Sequence, residues 1–344
     1  MNNKTLTRML MVSALALAGS TGWAQNVKIT PLGSHAGELC DRDRATIFED
    51  PTGVRILYDA GHSVTGGDDP RLGEVHIVLL SHAHGDHMGD QKMKALGAGT
   101  CDKPETVSAA PNSTTAEIAA AKNAAIMMIA PMGAFISKKI ENIRGKPIGA
   151  CPSPGGDLVP PFAAPCQALV QLGGARTIKA AGAQRGVEIT IVPASHDSTV
   201  SRALLSDPER SNLAADNTSL YLGPPSGYVI KFTNGLTAYL SGDTGIHAEM
   251  KTIVADFHKA NLAVLNLGPN AITGLSATYA VNDLIKPAAI IATHVNEGAT
   301  EGGKLRPSSR TAAFAKMVRK PVYPAISGRT MEFDGSANCV AGCQ

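Results

Sequence analysis

The sequence predicts an α/β protein, on three observations. Apolar runs of strand length recur along the chain, and several stop at a histidine or an aspartate, as in sheets that carry chemistry at their strand ends. The stretch 114–130 is rich in alanine and reads as helical. Aromatic residues are only 4% of the 344, against 35 glycines, which suits an α/β chain better than an all-β one. With 44% apolar and 17% charged residues, the chain is globular in composition and long enough for one large domain or two small ones.

Residues 1–24 read as a signal peptide. Lys4 and Arg8 precede a short apolar core, Met9 to Ala18, and Gly22-Trp23-Ala24 offers small residues at a cleavage site after Ala24. That core is too short to span a bilayer, which takes roughly 20 residues. The expectation is an exported, periplasmic or secreted protein with no membrane segment after cleavage, residues 25–344 forming one domain. Removing Lys4 and Arg8 leaves the basic residues equal in number to the 29 acidic ones, and no basic stripe remains to bind nucleic acid. Cys40, Cys101, Cys151, Cys166, Cys339 and Cys343 all lie beyond residue 24, and an even count in an oxidising compartment suggests disulfides. Cys151–Cys166 and Cys339–Cys343 are the local pairings. A zinc knuckle is the alternative, but no Cys-X-X-Cys occurs.

Val27 to Leu32 is the first strand. Ala45 to Glu49 and Val54 to Asp59 form a hairpin around Asp50-Pro51-Thr52-Gly53. The run 75–80 is a buried strand, and Ser81 ends it. His82-Ala83-His84-Gly85-Asp86-His87 follows at once. Alternate residues of an extended segment point the same way, so His82 and His84 can grip one metal ion. Gly85 lets the chain turn, and Asp86 and His87 then face a second position. Imidazole and carboxylate ligands without thiolate suit an open catalytic zinc site. A histidine-rich loop without metal is the bland alternative.

Met88 to Leu96 is expected to be a helix, stopped by Gly97-Ala98-Gly99, and 114–130 another, with Ile118, Ile126, Met127 and Ile129 on its buried face. Residues 145–166 hold six prolines, so 100–180 reads as an irregular insertion stapled by Cys151–Cys166. Val187 to Pro193 is a strand leading to His196. Tyr228 to Phe232 and Leu236 to Leu240 form a hairpin that ends at Ser241-Gly242-Asp243-Thr244-Gly245. Leu262 to Leu267 is a buried strand, and Ala288 to Thr293 runs directly into His294. Ser195 reads as a structural strand-end residue, and His76 as a packed strand residue.

His-X-His-X-Asp-His resembles the signature of the metallo-β-lactamase superfamily. The order that follows in that family, a lone His, an Asp and a final His, is matched by His196, Asp243 and His294. The resemblance covers nearly all of the chain beyond the signal peptide, except 100–180 and the tail after about 330. It implies an αββα four-layer sandwich: two mixed sheets face to face, with metals at the sheet edge. It implies that His82, His84 and His196 hold one zinc ion, that Asp86, His87 and His294 hold a second, and that Asp243 bridges them. Asp59 is implied as a support beneath the site. Relatives with two irons carry Glu at the position of His84, so zinc is favoured, with manganese the alternative. The segments Thr30 to Ala36, Val192 to Ser198 and Ser241 to Ile246 resemble the branch of ascorbate-6-phosphate lactonases, whereas Gly268-Pro269-Asn270-Ala271 departs from it. His35 matches a histidine that often follows the first strand in that branch, which implies a place lining the substrate pocket; a plain loop histidine is the alternative.

The implied activity is hydrolysis of a small lactone, ester or amide by a metal-activated hydroxide, with Asp86 orienting it and taking its proton. The alternatives are a phosphoester or carbon–halogen bond as substrate, or an exported binding protein without catalysis, against which the filled ligand positions argue. A small-molecule substrate is the expected partner; homo-oligomerisation is left open.

Overall fold

A computed structural model of the chain describes residues 26–269, 271–272 and 274–343; the expected signal peptide lies outside them. The first strands are β1 (Val27–Pro31), β2 (Thr46–Glu49), β3 (Arg55–Tyr58) and β4 (Ile77–Leu79). Their side chains alternate between two buried faces, as a period of two requires. Phe48, Ile56, Tyr58, Ile77 and Leu79 enter the main core, while Ile47, Leu57 and Val78 face a second cluster that contains Ile118. After β4 comes the single turn α1 (Gly85–Met88). The helix expected at Met88 to Leu96 does not form. Gly89 closes α1 in the left-handed conformation, and Gln91–Met93 pairs antiparallel with Thr106–Ser108.

The segment 100–180 is more regular than its prolines suggest. Ser113 caps α2 (Thr114–Lys122), accepting the Ala116 N–H, and Asn123 ends the helix in the left-handed region. The expected 114–130 helix therefore stops early. Ile126, Met127 and Ile129 belong instead to β5 (Ala125–Ile129), fully buried between β4 and β6 (Cys166–Val170). Between β5 and β6 runs α3 (Gly133–Arg144), whose Ile136 and Ile140 enter the main core. Its longest irregular stretch is 146–165, and a Cys151–Cys166 disulfide ties that to β6.

The second sheet is built from β7 (Ala175–Ile178), β8 (Val187–Pro193), β9 (Ser226–Lys231), β10 (Thr237–Leu240), β11 (Leu262–Asn266), β12 (Ala289–Thr293) and β13 (Val322–Pro324) in sequence order. The first sheet has the order β6-β5-β4-β3-β2-β1, extended by β14 (Met331–Phe333) and β15 (Cys339–Ala341). Both sheets mix parallel and antiparallel pairs, and they share one core, with helices on the outer faces. This is the four-layer αββα sandwich expected.

Strands β8 and β10 each lie antiparallel to β9, and β10, β11 and β12 are mutually parallel. Hence β8, β10 and β12 end on the same edge. Two tyrosines pin that edge to the first sheet. The ring of Tyr58 meets that of Tyr228 edge-on, with centroids 6.2 Å apart. Tyr58 accepts the Gly242 N–H at 2.9 Å, and Tyr228 donates its hydroxyl to the Leu80 carbonyl at 2.7 Å, with the Met127 carbonyl at 3.0 Å. Tyr228→Phe strands the buried Leu80 carbonyl, while that of Met127 keeps the Leu80 N–H, and is expected to lower unfolding free energy by about 1–2 kcal/mol in urea. An unchanged midpoint would show that the hydroxyl does not couple the sheets.

Candidate metal centre

The edge so assembled brings together all seven side chains that the sequence singled out. Ligand atoms of His82, His84 and His196 lie within 4.8 Å of one another, as do those of Asp86, His87, Asp243 and His294. His82 and His84 leave the end of β4, and Asp86 and His87 sit on α1. His196, Asp243 and His294 follow β8, β10 and β12. The two groups adjoin, since the His82 and His87 rings are 4.1 Å apart between centroids. Asp243 touches both. Its Oδ1 is 3.4 Å from His87 Nε2 and 3.1 Å from His294 Nδ1, and its Oδ2 is 3.8 Å from His196 Nε2.

Hydrogen bonds behind the imidazoles decide which nitrogen faces inward. His87 Nδ1 donates to Asp59 Oδ2 at 2.7 Å. Ser81 donates its own hydroxyl to Asp59 and is 2.9 Å from His82 Nδ1, so that nitrogen is the donor. His84 Nε2 lies 3.0 Å from Asp197 Oδ2, leaving Nδ1 with the lone pair. The inward nitrogens His82 Nε2, His87 Nε2 and His294 Nδ1 are buried without a hydrogen bond. Buried polar atoms are rarely left unmet. Imidazoles held from behind by carboxylate or hydroxyl, with lone pairs converging, are what a divalent metal ion requires. The residues present therefore fit such an ion at either group.

Electrostatics point the same way. Burial opposes charge on Asp86, but Arg44 and His87 hold its carboxyl well below the usual range. Burial likewise works against a cation on His87, yet Asp243, Asp59 and Asp86 outweigh it and push it up to about 10, so the site's negative field favours a cation there, a role a metal ion would take over by displacing the proton. Burial and the neighbouring His87 take His82 well below the ordinary imidazole value. His294 sits at φ +49° just past β12, a left-handed conformation uncommon outside glycine, and its backbone N–H donates to the Asp43 carbonyl.

A cleft of about 540 Å³ opens beside the two groups, reached by His84 and Asp86. Its wall holds residues that the sequence reading did not single out. His62, given no role there, bonds Asp90 Oδ1 at 2.6 Å, and Ser201 donates to Asp90 Oδ2 at 2.5 Å. Gly85 makes room for this pair: a Cβ there would lie 2.2 Å from Asp90 Oδ2, so the glycine is needed for space rather than for turning. Arg44 and Asn296 lie at the back. His35 is not part of this wall; its ring contacts the Ser34 hydroxyl and the Gly99 carbonyl. His76, read as a packed strand residue, lies instead half-buried just before β4, where its Nδ1 accepts the Arg55 N–H. The segment bearing Asp41, Arg42 and Arg44 is anchored by a Cys40–Cys101 disulfide, a pairing that sequence distance did not suggest; Cys339–Cys343 is the third.

Asp43, beneath this wall, carries a pH signature. Burial pushes its carboxyl up to about 6, against the pull of hydrogen bonds from Cys40 and Ser34. A raised carboxyl is stabilising below its unfolded value near 3.8, and that contribution is lost as pH rises through about 6. Two units correspond to about 3 kcal/mol. Urea unfolding in chelator between pH 4 and 7 is expected to show a falling component that Asp43→Asn removes. Parallel pH slopes for the two proteins would contradict it.

No family model matches the chain. It is 25% identical over 266 residues to a UPF0173 metal-dependent hydrolase of Staphylococcus epidermidis, covering 75% of this chain and 86% of that protein. It is 30% identical over 224 residues to a UPF0173 metal-dependent hydrolase of Cupriavidus metallidurans, covering 65% of this chain and 58% of that one. Among solved structures, Igni18, a metallo hydrolase from the archaeon Ignicoccus hospitalis, aligns over 90% of this chain and 99% of its own at 20% identity, with a TM-score of 0.53. That likeness is one of fold.

Proposed function

We propose that this chain, a metal-dependent hydrolase with the metallo-β-lactamase fold, holds two zinc ions and cleaves a small polar lactone, ester or amide. The observation that carries the reading is the pair of adjoining ligand groups with their unmet inward imidazole nitrogens. His82, His84 and His196 would hold one ion, Asp86, His87 and His294 the other, and Asp243 would serve both. Such ions supply water with a lowered pKa and Lewis-acid polarisation of the bond to be broken.

The remaining chemistry belongs to the chain. Arg44 fixes Asp86 Oδ2 at 2.6 Å, while Asp86 Oδ1 hydrogen-bonds none of the described residues. That oxygen is the acceptor that can orient water in the cleft and take its proton. The cleft wall carries Asp41, Asp86 and Asp90 against Arg42 and Arg44, a balance that favours a neutral acyl group over a phosphate dianion. The lactonase-like motifs support a lactone among the acyl substrates. The apolar leader at 1–24 and the paired cysteines support export to the periplasm.

The test is elemental analysis of residues 25–344, followed by hydrolysis of matched lactones, esters, amides, phosphoesters and haloalkanes. About two zinc ions per chain with turnover confined to acyl substrates is expected. Manganese in their place would overturn the zinc assignment. Turnover of phosphoesters or haloalkanes alone would overturn the acyl reading, and a folded protein that takes up no metal would sink it altogether.

A further inference from the structure

Arg44 is the most unusual charged residue of the site. Its side chain is 4% exposed. Nη2 donates to Asp86 Oδ2 at 2.6 Å and to Asn296 Oδ1 at 3.1 Å, which uses both of its hydrogens. Nε and Nη1 are buried with no acceptor. Gly61, at φ +52°, allows this placement, since a Cβ there would lie 2.5 Å from the Asp86 carbonyl and 3.1 Å from Arg44 Cδ. The remaining N–H groups of the guanidinium are buried, so it presents no exposed donor to a substrate in the cleft. Burying a permanent cation with three N–H donors unmet is costly. What it reaches is one carboxylate, and that carboxylate belongs to only one of the two ligand groups.

The groups are unequal in their surroundings. Support from behind is common to both, His84 being backed by the Asp197 carboxylate, His82 by the Ser81 hydroxyl and His87 by the Asp59 carboxylate; the difference is a fixed cation. Among the described residues, no arginine or lysine is paired to a ligand of the first group. In the second group, Asp86 shares Oδ2 with Arg44, so the negative charge that should favour a metal ion there is opposed by a fixed positive one. We infer that Arg44 is a positioning residue that holds Asp86 in place and makes the Asp86–His87–His294 position the weaker of the two, filled after His82–His84–His196 and exchanged more readily. The inference rests on the metal-hydrolase reading.

It is tested by binding. Protein stripped with chelator is titrated with zinc against a chromophoric competitor. Two unequal steps are expected, and Arg44→Lys, which keeps the charge, should preserve the inequality. Arg44→Gln, which removes it, should tighten the weaker step by about tenfold or more and leave the tighter one unchanged. A weaker step that loosens or does not move in Arg44→Gln overturns the inference. Should that variant not fold, cadmium NMR of the wild type at one equivalent decides: a single resonance coupled to three imidazoles is expected, and one coupled to two imidazoles, or equal filling of two positions, overturns the inference. Equal affinities sink only the role of Arg44, whereas absence of any metal binding sinks the reading beneath it.

Discussion

Asp243→Asn is expected to lower turnover about a thousandfold and to cost the protein at least one of its metal ions. Asp243 is the carboxylate that reaches ligands of both groups, through Oδ1 to His87 and His294 and through Oδ2 toward His196. Burial alone would favour its neutral form, but His294 and His87 hold the carboxyl well below its usual range, so it stands charged between the two groups. Asn266 Nδ2 donates to Oδ1 at 3.0 Å and fixes the rotamer. Asparagine keeps that shape but removes the charge and turns one acceptor into a donor facing imidazole nitrogens. Turnover on an acyl substrate and metal content by elemental analysis, measured on the same preparation, check the prediction. A variant that keeps two ions and more than about a tenth of the turnover would show that Asp243 does not bridge.

The strands and the order of their chemical ends were legible because both signals are local. Val187 to Pro193 alternates, and Leu262 to Leu265 is a continuous apolar run, so each is recognisable without its neighbours. The seven side chains at the site could be read the same way, since each follows a strand or the turn after one. What stayed hidden depends on contacts distant in sequence. Arg44 precedes an ordinary strand, and nothing in its neighbourhood announces that Asp86 and Asn296 close around it. The His62–Asp90–Ser201 set joins three segments, two of them separated by 111 residues. The misread helices have a simpler cause. A fully buried strand such as β5 lacks alternation, so Ala125–Ile129 is indistinguishable by periodicity from the end of α2. Asn123 was the available signal, as a residue suited to the left-handed stop between them.

Asp59→Asn is expected to weaken metal binding at the position that uses His87 by about 10- to 100-fold and to destabilise the fold by about 1–3 kcal/mol. Asp59 lies at φ +38° after β3, so asparagine, which tolerates that conformation, isolates the charge from backbone strain. The carboxylate is 1% exposed and works in two directions. Oδ1 accepts the Ser81 N–H at 2.9 Å, which shapes the turn out of β4. Oδ2 accepts from the Ser81 hydroxyl and from His87 Nδ1, which fixes the His87 tautomer and, through Ser81, that of His82. One buried side chain thus aims an imidazole in each ligand group. An amide offers one acceptor face where three donors converge, so at least one buried donor goes unmet and both rings lose their anchor. Stepwise zinc titration and urea unfolding of the variant separate the two effects. Unchanged affinity with reduced stability would make Asp59 a brace for the turn alone, and no change in either would remove it from the site.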